Sequence, residues 1–280
     1  MCKIPYVCIL HEQKHDIDVD IEMHQFIIKD YVPLSNSLET PFFTVQTKEA
    51  DIVAGYKKIA KLERHFSDEQ ILILNGDDVN KIKDRILTIA FLDIDKFSEL
   101  SEILKGNENL LVEFLQEYYR TSTEIIFKFN GLLDKFSGDC TMAIFGVLSK
   151  DRTGTEGAIC SVAAVVELMK FFKELVMKWT KIWKKYVPHK TNISLRCGIN
   201  TGKVTFGNIG TVKTDQLTAI GTNVNIASRL ESRAKPGKIL ISATTKERVE
   251  SHYRLRPVGT LYNLKNIVGE FESFEVEWEK

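Results

Sequence analysis

The pattern of hydrophobic and polar positions divides the chain into two regions. From about residue 85, continuous apolar runs alternate with helical patterns, and the first run, ILTIAFLDI at 86–94, is typical of a buried strand. Upstream, short apolar runs mix with His and acidic residues, apolar positions at helical spacing predict a helix over 47–66, and ILIL predicts a short strand over 71–74. We therefore expect a folded domain over residues 85–280 and an N-terminal extension over 1–84.

Within the larger region, strand-like and helical patterns follow each other regularly. Helical material is predicted to end at Gly131, a plausible stop, and a hairpin follows it around a Ser-Gly-Asp turn. A long buried helix is then expected over about 156–186. The predicted later elements are strands over 193–199, 203–210 and 216–221, a helix over 224–234, a strand over 238–242, a short helix and two closing strands. This interspersed order predicts the α/β or α+β class with one central sheet.

Composition places the chain among ordinary globular proteins. Hydrophobic residues make up 44% and charged residues 27% of its 280 positions, so it can bury a sizeable core. The 38 basic and 38 acidic residues cancel, which leaves no overall positive field to hold a nucleic acid or an anionic membrane. Trp179 and Trp183 lie among lysines, but lysine is favoured at a helix C-terminus without any such ligand. We expect no nucleic-acid partner.

The cysteines and the N-terminus both favour a cytoplasmic setting. Five cysteines are widely spread, with no C-x-x-C pair and no His at zinc-ligand spacing, which fits a reduced compartment. The first hydrophobic stretch is too short to span a membrane and lacks the small-residue pattern of a signal-peptide cleavage site. We therefore expect no membrane span. The extension carries no chemical motif, and only its position suggests a lid, a dimer contact or the site at which an unknown regulator acts.

Two carboxylates suggest a metal site. Asp93 ends the first predicted strand beside a helix start, and Asp139 projects from the turn at Gly138. Two carboxylates on adjacent strands could hold a pair of Mg²⁺ ions and so clamp the oxygens of a phosphoryl displacement. Taken singly, each Asp is more often part of a solvated turn.

A polar pair on the helix at 224–234 is the other candidate. Asn225 and Arg229 are four residues apart and project from the same face. An amide can orient a ribose, and a guanidinium can meet developing phosphate charge. The commoner explanation of such a pair alone is the polar face of an amphipathic helix.

Five segments taken in order resemble the catalytic domain of class III nucleotidyl cyclases. They are FLDIDKFSELSE, DKFSGDCTMAIFG, RCGINTGKVTFGNIG, LTAIGTNVNIASRLES and LKNIVGEFESFEV, and the resemblance covers about residues 85–277. It implies an αβ sandwich with a ferredoxin-like βαββαβ core and one mainly antiparallel central sheet. It also implies two Mg²⁺ or Mn²⁺ ions in each active site.

The resemblance assigns the metal and phosphate contacts residue by residue. Asp93 and Asp139 are implied to be the metal carboxylates, with the backbone carbonyl of Ile94 as a further ligand. Backbone amides around Phe97 and Ser98, at the helix start, are implied to form a phosphate cradle.

Further basic and polar groups are implied for the rest of the nucleotide. Asn225 is implied to orient the ribose and Arg229 to stabilise the transition state. Arg196 and Lys265 fall where the family places contacts to the β- and γ-phosphates, although the Lys265 alignment is looser because LKG is commoner there than LKN.

The residues that select the base resemble those of bacterial adenylate cyclases. Lys135 stands four residues before Asp139, and Thr218 stands three residues before Gly221, where guanylate cyclases tend to have Glu and Cys or a small residue. The chemistry agrees, because lysine can donate to adenine N1 whereas guanine N1–H needs an acceptor. Thr218 can accept from the adenine amino group.

The resemblance therefore implies an adenylate cyclase that acts as a homodimer with ATP as substrate. The two walls of each site are implied to be Asp93, Asp139 and Arg196 from one protomer, and Lys135, Thr218, Asn225, Arg229 and Lys265 from the other. One alternative is a cyclase for another base, either guanylate or a pyrimidine cyclase of phage defence. Another is a catalytically silent regulatory domain, which would normally have lost a metal Asp, the Asn or the Arg.

Overall fold

The computed structural model describes residues 4–10, 13–19, 31–33, 43–45, 81–187, 192–210, 216–264 and 267–279. The chain separates into two compact units, Met1–Arg64 and His65–Lys280. In the first unit, β1 (Ile4–Leu10) pairs antiparallel with β2 (Gln13–Val19), and β3 (Tyr31–Pro33) with β4 (Phe43–Val45). The helix expected over 47–66 and the strand expected over 71–74 lie outside the described residues, and the domain boundary after residue 84 stays a prediction.

The second unit alternates strands and helices, as the pattern of the sequence predicts. Its strands are β5 (Lys83–Asp95), β6 (Gly131–Ser137), β7 (Cys140–Phe145), β8 (Ser194–Asn208), β9 (Leu217–Ile220), β10 (Ile239–Ser242), β11 (Leu255–Leu264) and β12 (Ile267–Val276). Its helices are α1 (Phe97–Ile103), α2 (Glu108–Lys128), α3 (Thr155–Trp183), α4 (Thr222–Arg233) and α5 (Ala243–Val249). Among the described residues, no helix is both long and apolar enough to span a membrane.

The eight strands described in this unit all join one open sheet. Its order is β11-β12-β10-β8-β5-β7-β6, and β9 pairs with the end of β8. Every pairing is antiparallel except that of β8 with β10, so the expected fold with a mainly antiparallel sheet is confirmed. The two strands expected over 193–199 and 203–210 are instead the single long strand β8, which pairs with β5 along 13 successive residues of β5.

The main core lies between one face of the sheet and the helices α1, α2, α3 and α5. Long apolar stretches make α3 hydrophobic over much of its surface, and twelve of its residues are buried. Phe114 of α2 packs edge-on against Trp183 of α3, with ring centroids 5.2 Å apart. Trp179 and Trp183 are both buried in this core, so neither indole is free to stack on a base at the surface.

The region between β5 and β6 is helical, as predicted, but it ends earlier than expected. It is two helices, because Gly106 adopts a left-handed φ of 84° between them and interrupts the hydrogen-bond ladder. The prediction that helical material ends at Gly131 was wrong. The helix α2 ends at Lys128, Asn130 takes the left-handed conformation with φ 55°, and Gly131 begins β6.

Candidate active site

The alternation of β5 directs one of its carboxylates away from the main core. Ala90, Leu92 and Ile94 face the helices, so Asp93 points to the opposite face of the sheet. There it stands directly across from Arg196 of β8. The guanidinium donates to Asp93 Oδ2 from Nη2 at 2.6 Å and from Nε at 3.0 Å. Two predicted site residues therefore form a charge-assisted pair at the end of the central strands.

The helix α4 covers this second face and brings in a residue that the sequence analysis missed. Glu231 Oε1 lies 2.8 Å from Arg196 Nε, and the Glu231 side chain is only 10% exposed. The helix can approach this closely because Gly198 has no side chain: a Cβ there would lie 2.0 Å from the Glu231 backbone nitrogen. Glu231 falls between Ala227, Leu230 and Ala234 on the buried face of the helix. In the sequence, the signal that could have identified Glu231 was a carboxylate at a position where the helical pattern predicts an apolar side chain.

The second predicted metal ligand, Asp139, sits in the β6–β7 turn, which α2 holds in place. Gly138 adopts a φ of 61°, as a tight turn requires. The Tyr119 hydroxyl donates to the Gly138 carbonyl, and its ring stacks on Phe136 with centroids 4.0 Å apart. The carboxylate is therefore presented from a turn that is fixed by a helix of the main core.

The carboxylates of this site are electrostatically coupled. Burial, followed by the charge of Asp93, raises the pKa of Asp139 above its ordinary value. Burial and Asp93 also raise the pKa of Glu231 to about 7, even though Arg196 lowers it. The same two causes raise the pKa of the Cys140 thiol to about 12. Asp93 and Glu231 thus both contact the Arg196 guanidinium, and with the nearby charge of Asp139 the site carries an excess of negative charge.

This excess charge fits a divalent cation bound together with a phosphate. Among the described residues, no three His, Cys, Asp or Glu side chains converge to hold a metal by themselves. Mg²⁺ is usually held by one or two carboxylates together with substrate phosphates, because it gives up its waters reluctantly. Asp93 and Asp139, with the Ile94 carbonyl, match that donor set.

The catalytic candidates Asn225 and Arg229 lie on α4, as predicted. Asn225 is exposed, while Arg229 is half-buried and its Nε makes no hydrogen bond within the described part of the chain. Arg229 and Glu231 are two residues apart, so their side chains leave the helix roughly 200° apart. Because Glu231 faces the sheet, Arg229 points away from Asp93.

A polar network fixes the start of this helix. Asn200 Nδ2 donates to the Asn223 carbonyl at 2.8 Å and to its Oδ1 at 3.0 Å, and Asn223 Nδ2 donates to the Lys203 carbonyl at 2.9 Å. Asn223 lies against Gly202, where a Cβ would come within 2.4 Å of the Asn223 side chain. The first turn of α4, and with it Asn225, is therefore tied to β8.

The remaining candidates are spread along the sheet. Lys135 of β6 pairs with Met142 of β7, and Met142 pairs with Phe91 of β5. Phe91 and Asp93 are two residues apart on β5, so Lys135 is on the same face of the sheet as Asp93. Thr218 of β9 is buried. Among the described residues, no hydrogen bond or ion pair joins Lys135, Thr218, Asn225 or Arg229 to the carboxylates of Asp93 and Asp139.

Of the last three candidates, Phe97 and Ser98 lie in the described structure and Lys265 does not. Phe97 and Ser98 form the first turn of α1, whose N-cap, Lys96, makes no side-chain capping bond. Lys265 lies outside the described residues.

We expect Glu231→Gln to stabilise the metal-free protein at pH 8 and to change its stability little at pH 5. A raised pKa means that the folded protein binds this proton more tightly than the unfolded chain, so the wild type loses stability as pH rises towards about 7. The gain at pH 8 should be on the order of 2 kcal/mol. It can be measured by thermal melts in buffer containing a chelator.

Glu117→Gln is the control for this pH effect. Burial raises the pKa of Glu117, but hydrogen bonds from Lys178 and Trp179 outweigh it and leave that pKa below its ordinary value. Its loss should therefore cost the same stability at pH 5 and pH 8. An equal destabilisation by Glu231→Gln at both pH values would contradict the expected electrostatics of the site.

The sequence matches a known family and known relatives over this unit. Residues 79–273 match the adenylate and guanylate cyclase catalytic domain. Adenylate cyclase 1 of Rhizobium meliloti strain 1021 is 28% identical over 176 residues. The match covers 62% of this chain but only 25% of that relative, so this chain spans about a quarter of its length.

Solved structures agree in fold with this unit. The adenylyl cyclase CyaB from P. aeruginosa superposes with a TM-score of 0.64 and 32% identity, over 70% of this chain and 95% of that one. The guanylyl cyclase Cya2 superposes with a TM-score of 0.60 and 28% identity, over 70% of this chain and 93% of the other. With a family match over most of its length and this fold, the chain belongs to the class III nucleotidyl cyclases.

Proposed function

We propose that this cyclase is an adenylate cyclase, which converts ATP to 3′,5′-cyclic AMP and pyrophosphate. The observation that carries the proposal is Lys135, whose side chain is 44% exposed on the same face of the sheet as Asp93. An ammonium can donate to adenine N1, whereas guanine presents N1–H and needs an acceptor there. Thr218 supplies a hydroxyl that can accept from the adenine amino group.

In the proposed reaction, the ribose 3′ oxygen attacks the α-phosphorus. The O3′–P bond forms, the bond from the α-phosphorus to the bridging oxygen breaks, pyrophosphate leaves and the hydroxyl proton passes to solvent. Asn225 orients the ribose and Arg229 neutralises the charge that develops on the phosphate. Two Mg²⁺ or Mn²⁺ ions, held by Asp93, Asp139 and the Ile94 carbonyl, would lower the pKa of the ribose 3′ hydroxyl. They would also stabilise the negative charge on the attacking and the leaving oxygen.

Other groups bind the triphosphate in this proposal. Arg196 and Lys265 contact the β- and γ-phosphates, and the backbone amides at Phe97 and Ser98 cradle phosphate oxygens. Arg196 stays oriented through Glu231 when Asp93 serves as a metal ligand, because its guanidinium lies between the two carboxylates.

We further propose that the sites lie between two copies of the chain. Around α4, Arg229 leaves the helix about 160° from Glu231 and Asn225 about 120° from it, so neither side chain faces Asp93 of its own protomer. In a symmetric homodimer, Asn225 and Arg229 of each protomer would meet the metal carboxylates of the other. A cytoplasmic location, where ATP is supplied, is part of this proposal, as is regulation through residues 1–84.

Guanylate cyclase activity is the alternative with support, because the similar structures include both adenylyl and guanylyl cyclases. The test is to incubate the purified protein with each of the four nucleoside triphosphates and Mg²⁺ or Mn²⁺, and to identify the products by mass. We expect cyclic AMP as the main product. Predominant cyclic GMP or a cyclic pyrimidine nucleotide would contradict the proposal, and no product at all would favour a silent regulatory domain.

The double substitution Lys135→Glu and Thr218→Cys is expected to shift preference towards GTP. It removes the donor for adenine N1 and offers guanine N1–H an acceptor. A mismatched buried polar contact costs about 1–3 kcal/mol, so ATP turnover should fall by roughly one to two orders of magnitude. The readout is the ratio of cyclic AMP to cyclic GMP from equal ATP and GTP. An unchanged ratio would mean that these residues do not read the base.

A further inference from the structure

A buried carboxylate on β6 has no role in the site described so far. Asp134 is only 8% exposed, and neither of its carboxylate oxygens accepts a hydrogen bond of normal geometry from the described residues. Burying an ionised carboxylate without hydrogen bonds is costly, so such a group needs a compensating charge. Within the described part of the chain, the cation at ion-pair distance is its neighbour in sequence: Lys135 Nζ lies 3.0 Å from Asp134 Oδ2.

An irregularity in the strand allows these neighbours to meet. Successive residues of a regular strand point to opposite faces, which would keep the two side chains apart. Here the register steps from Leu133 opposite Ala143 to Lys135 opposite Met142, so Asp134 is the extra residue of a β-bulge. Bulges change the direction of side chains locally. The backbone is therefore shaped so that Asp134 can reach the ammonium of Lys135.

The pair is unequal in exposure, and this decides which partner constrains the other. The Asp134 side chain is 1% exposed and is held by its packing, whereas the Lys135 side chain is 44% exposed. A half-exposed lysine on an edge strand otherwise samples many rotamers. An ammonium has three donors, so one can be directed at Asp134 while two remain for a ligand.

We propose that Asp134 is a positioning residue that holds the Lys135 ammonium in the orientation in which it meets the nucleotide base. Asp134 therefore strengthens base preference without touching the base. This inference rests on the proposed function of Lys135 as the residue that reads the base.

The test is a double-mutant cycle of Asp134→Asn, Lys135→Met and the combined variant. Asp134→Asn keeps the shape of the buried side chain and removes its charge. We expect it to reduce the preference for the favoured nucleotide by about fivefold, through KM and with little change in kcat. In the Lys135→Met background, Asp134→Asn should cause no further change in preference. Asp84→Asn, which removes an exposed ion pair with Lys203 of 2.9 Å, is the matched control and should leave preference unchanged.

Thermal melts of the same variants test the ion pair independently of activity. Lys135→Met should lower the melting temperature, because it leaves the buried Asp134 charge without a partner, and adding Asp134→Asn should restore it. Additive effects of the two substitutions on the melting temperature would overturn the inference. The inference would also be overturned if Asp134→Asn left base preference unchanged. The same holds if Asp134→Asn changed base preference as much in the Lys135→Met background as in the wild type.

Failure of the proposed function gives a different result. If the wild type prefers another nucleotide to ATP, the adenylate proposal fails. The effect of Asp134→Asn on the preference for that nucleotide still tests whether Asp134 acts through Lys135. A loss of preference that depends on Lys135 would then support Asp134 as its positioning residue. An unaffected preference would overturn that role.

Discussion

Asp139→Asn is expected to abolish cyclisation while leaving the metal-free protein at least as stable as the wild type. Burial and the Asp93 charge raise the pKa of Asp139, so its ionised form is disfavoured in the folded protein. Asparagine keeps the size of the side chain and removes that repulsion, but it is a poor ligand for a hard dication. We expect turnover to fall by about a thousandfold or more, equivalent to about 4 kcal/mol of transition-state stabilisation.

Substitution of Asp93 should abolish activity as Asp139→Asn does, but it should also lower the stability of the protein. Asp93→Ala removes two hydrogen bonds from Arg196, which retains Glu231, so a modest destabilisation accompanies the loss of activity. Asp84→Asn changes an exposed carboxylate at the other end of β5 and serves as the active control. Cyclase assays and melts in chelator give the comparison. More than a tenth of wild-type activity in both Asp93→Ala and Asp139→Asn would refute the two-metal assignment.

Mixing two inactive variants is expected to restore activity. In the proposed homodimer, Asp93→Ala damages the metal side of a site and Asn225→Ala the ribose side. A heterodimer of the two chains would then have one site with both defects and one intact site. With random exchange, half the dimers are heterodimers with one working site, so roughly a quarter of wild-type activity should return. The measurement is cyclic nucleotide formed after the two proteins are mixed and allowed to exchange subunits.

The matched control mixes two variants of the same wall. Asp93→Ala with Asp139→Asn leaves every site defective, so this mixture should stay inactive. If the Asp93→Ala and Asn225→Ala chains exchange subunits and also stay inactive, each chain must hold a complete site, or the active species is a different assembly.

The sequence predicted those parts of the fold that depend on local patterns. The apolar run of β5 and the turn glycine at Gly138 each determine their own backbone, and the Asn225–Arg229 spacing placed both residues on α4. Their order along the chain carried the resemblance to the cyclase family. For the same reason Asp93 and Asp139 could be named as candidate metal ligands, a role that stays a prediction.

Features that depend on contacts between distant segments could not be predicted in this way. Glu231 enters the site because α4 lies on Gly198, 33 positions earlier, and helical periodicity alone does not tell which polar residue is buried by that contact. The bulge at Asp134 arises from pairing with β7, since nothing in LLDKFS marks an extra residue. The sequence analysis divided the long strand β8 in two around Gly202, where the strand in fact continues and lies against Asn223 of α4.

The alternation of β5 makes the length of this strand as critical as its composition. Even-numbered residues from 90 to 94 fill the helix-side core, and Asp93 occupies the opposite face. Deleting one residue between 88 and 92 would shift the phase of everything that follows: the carboxylate would enter the apolar core and a leucine-sized side chain would leave it. Natural variants of this strand should therefore differ by substitution, and insertions or deletions should be confined to the loops beyond its ends.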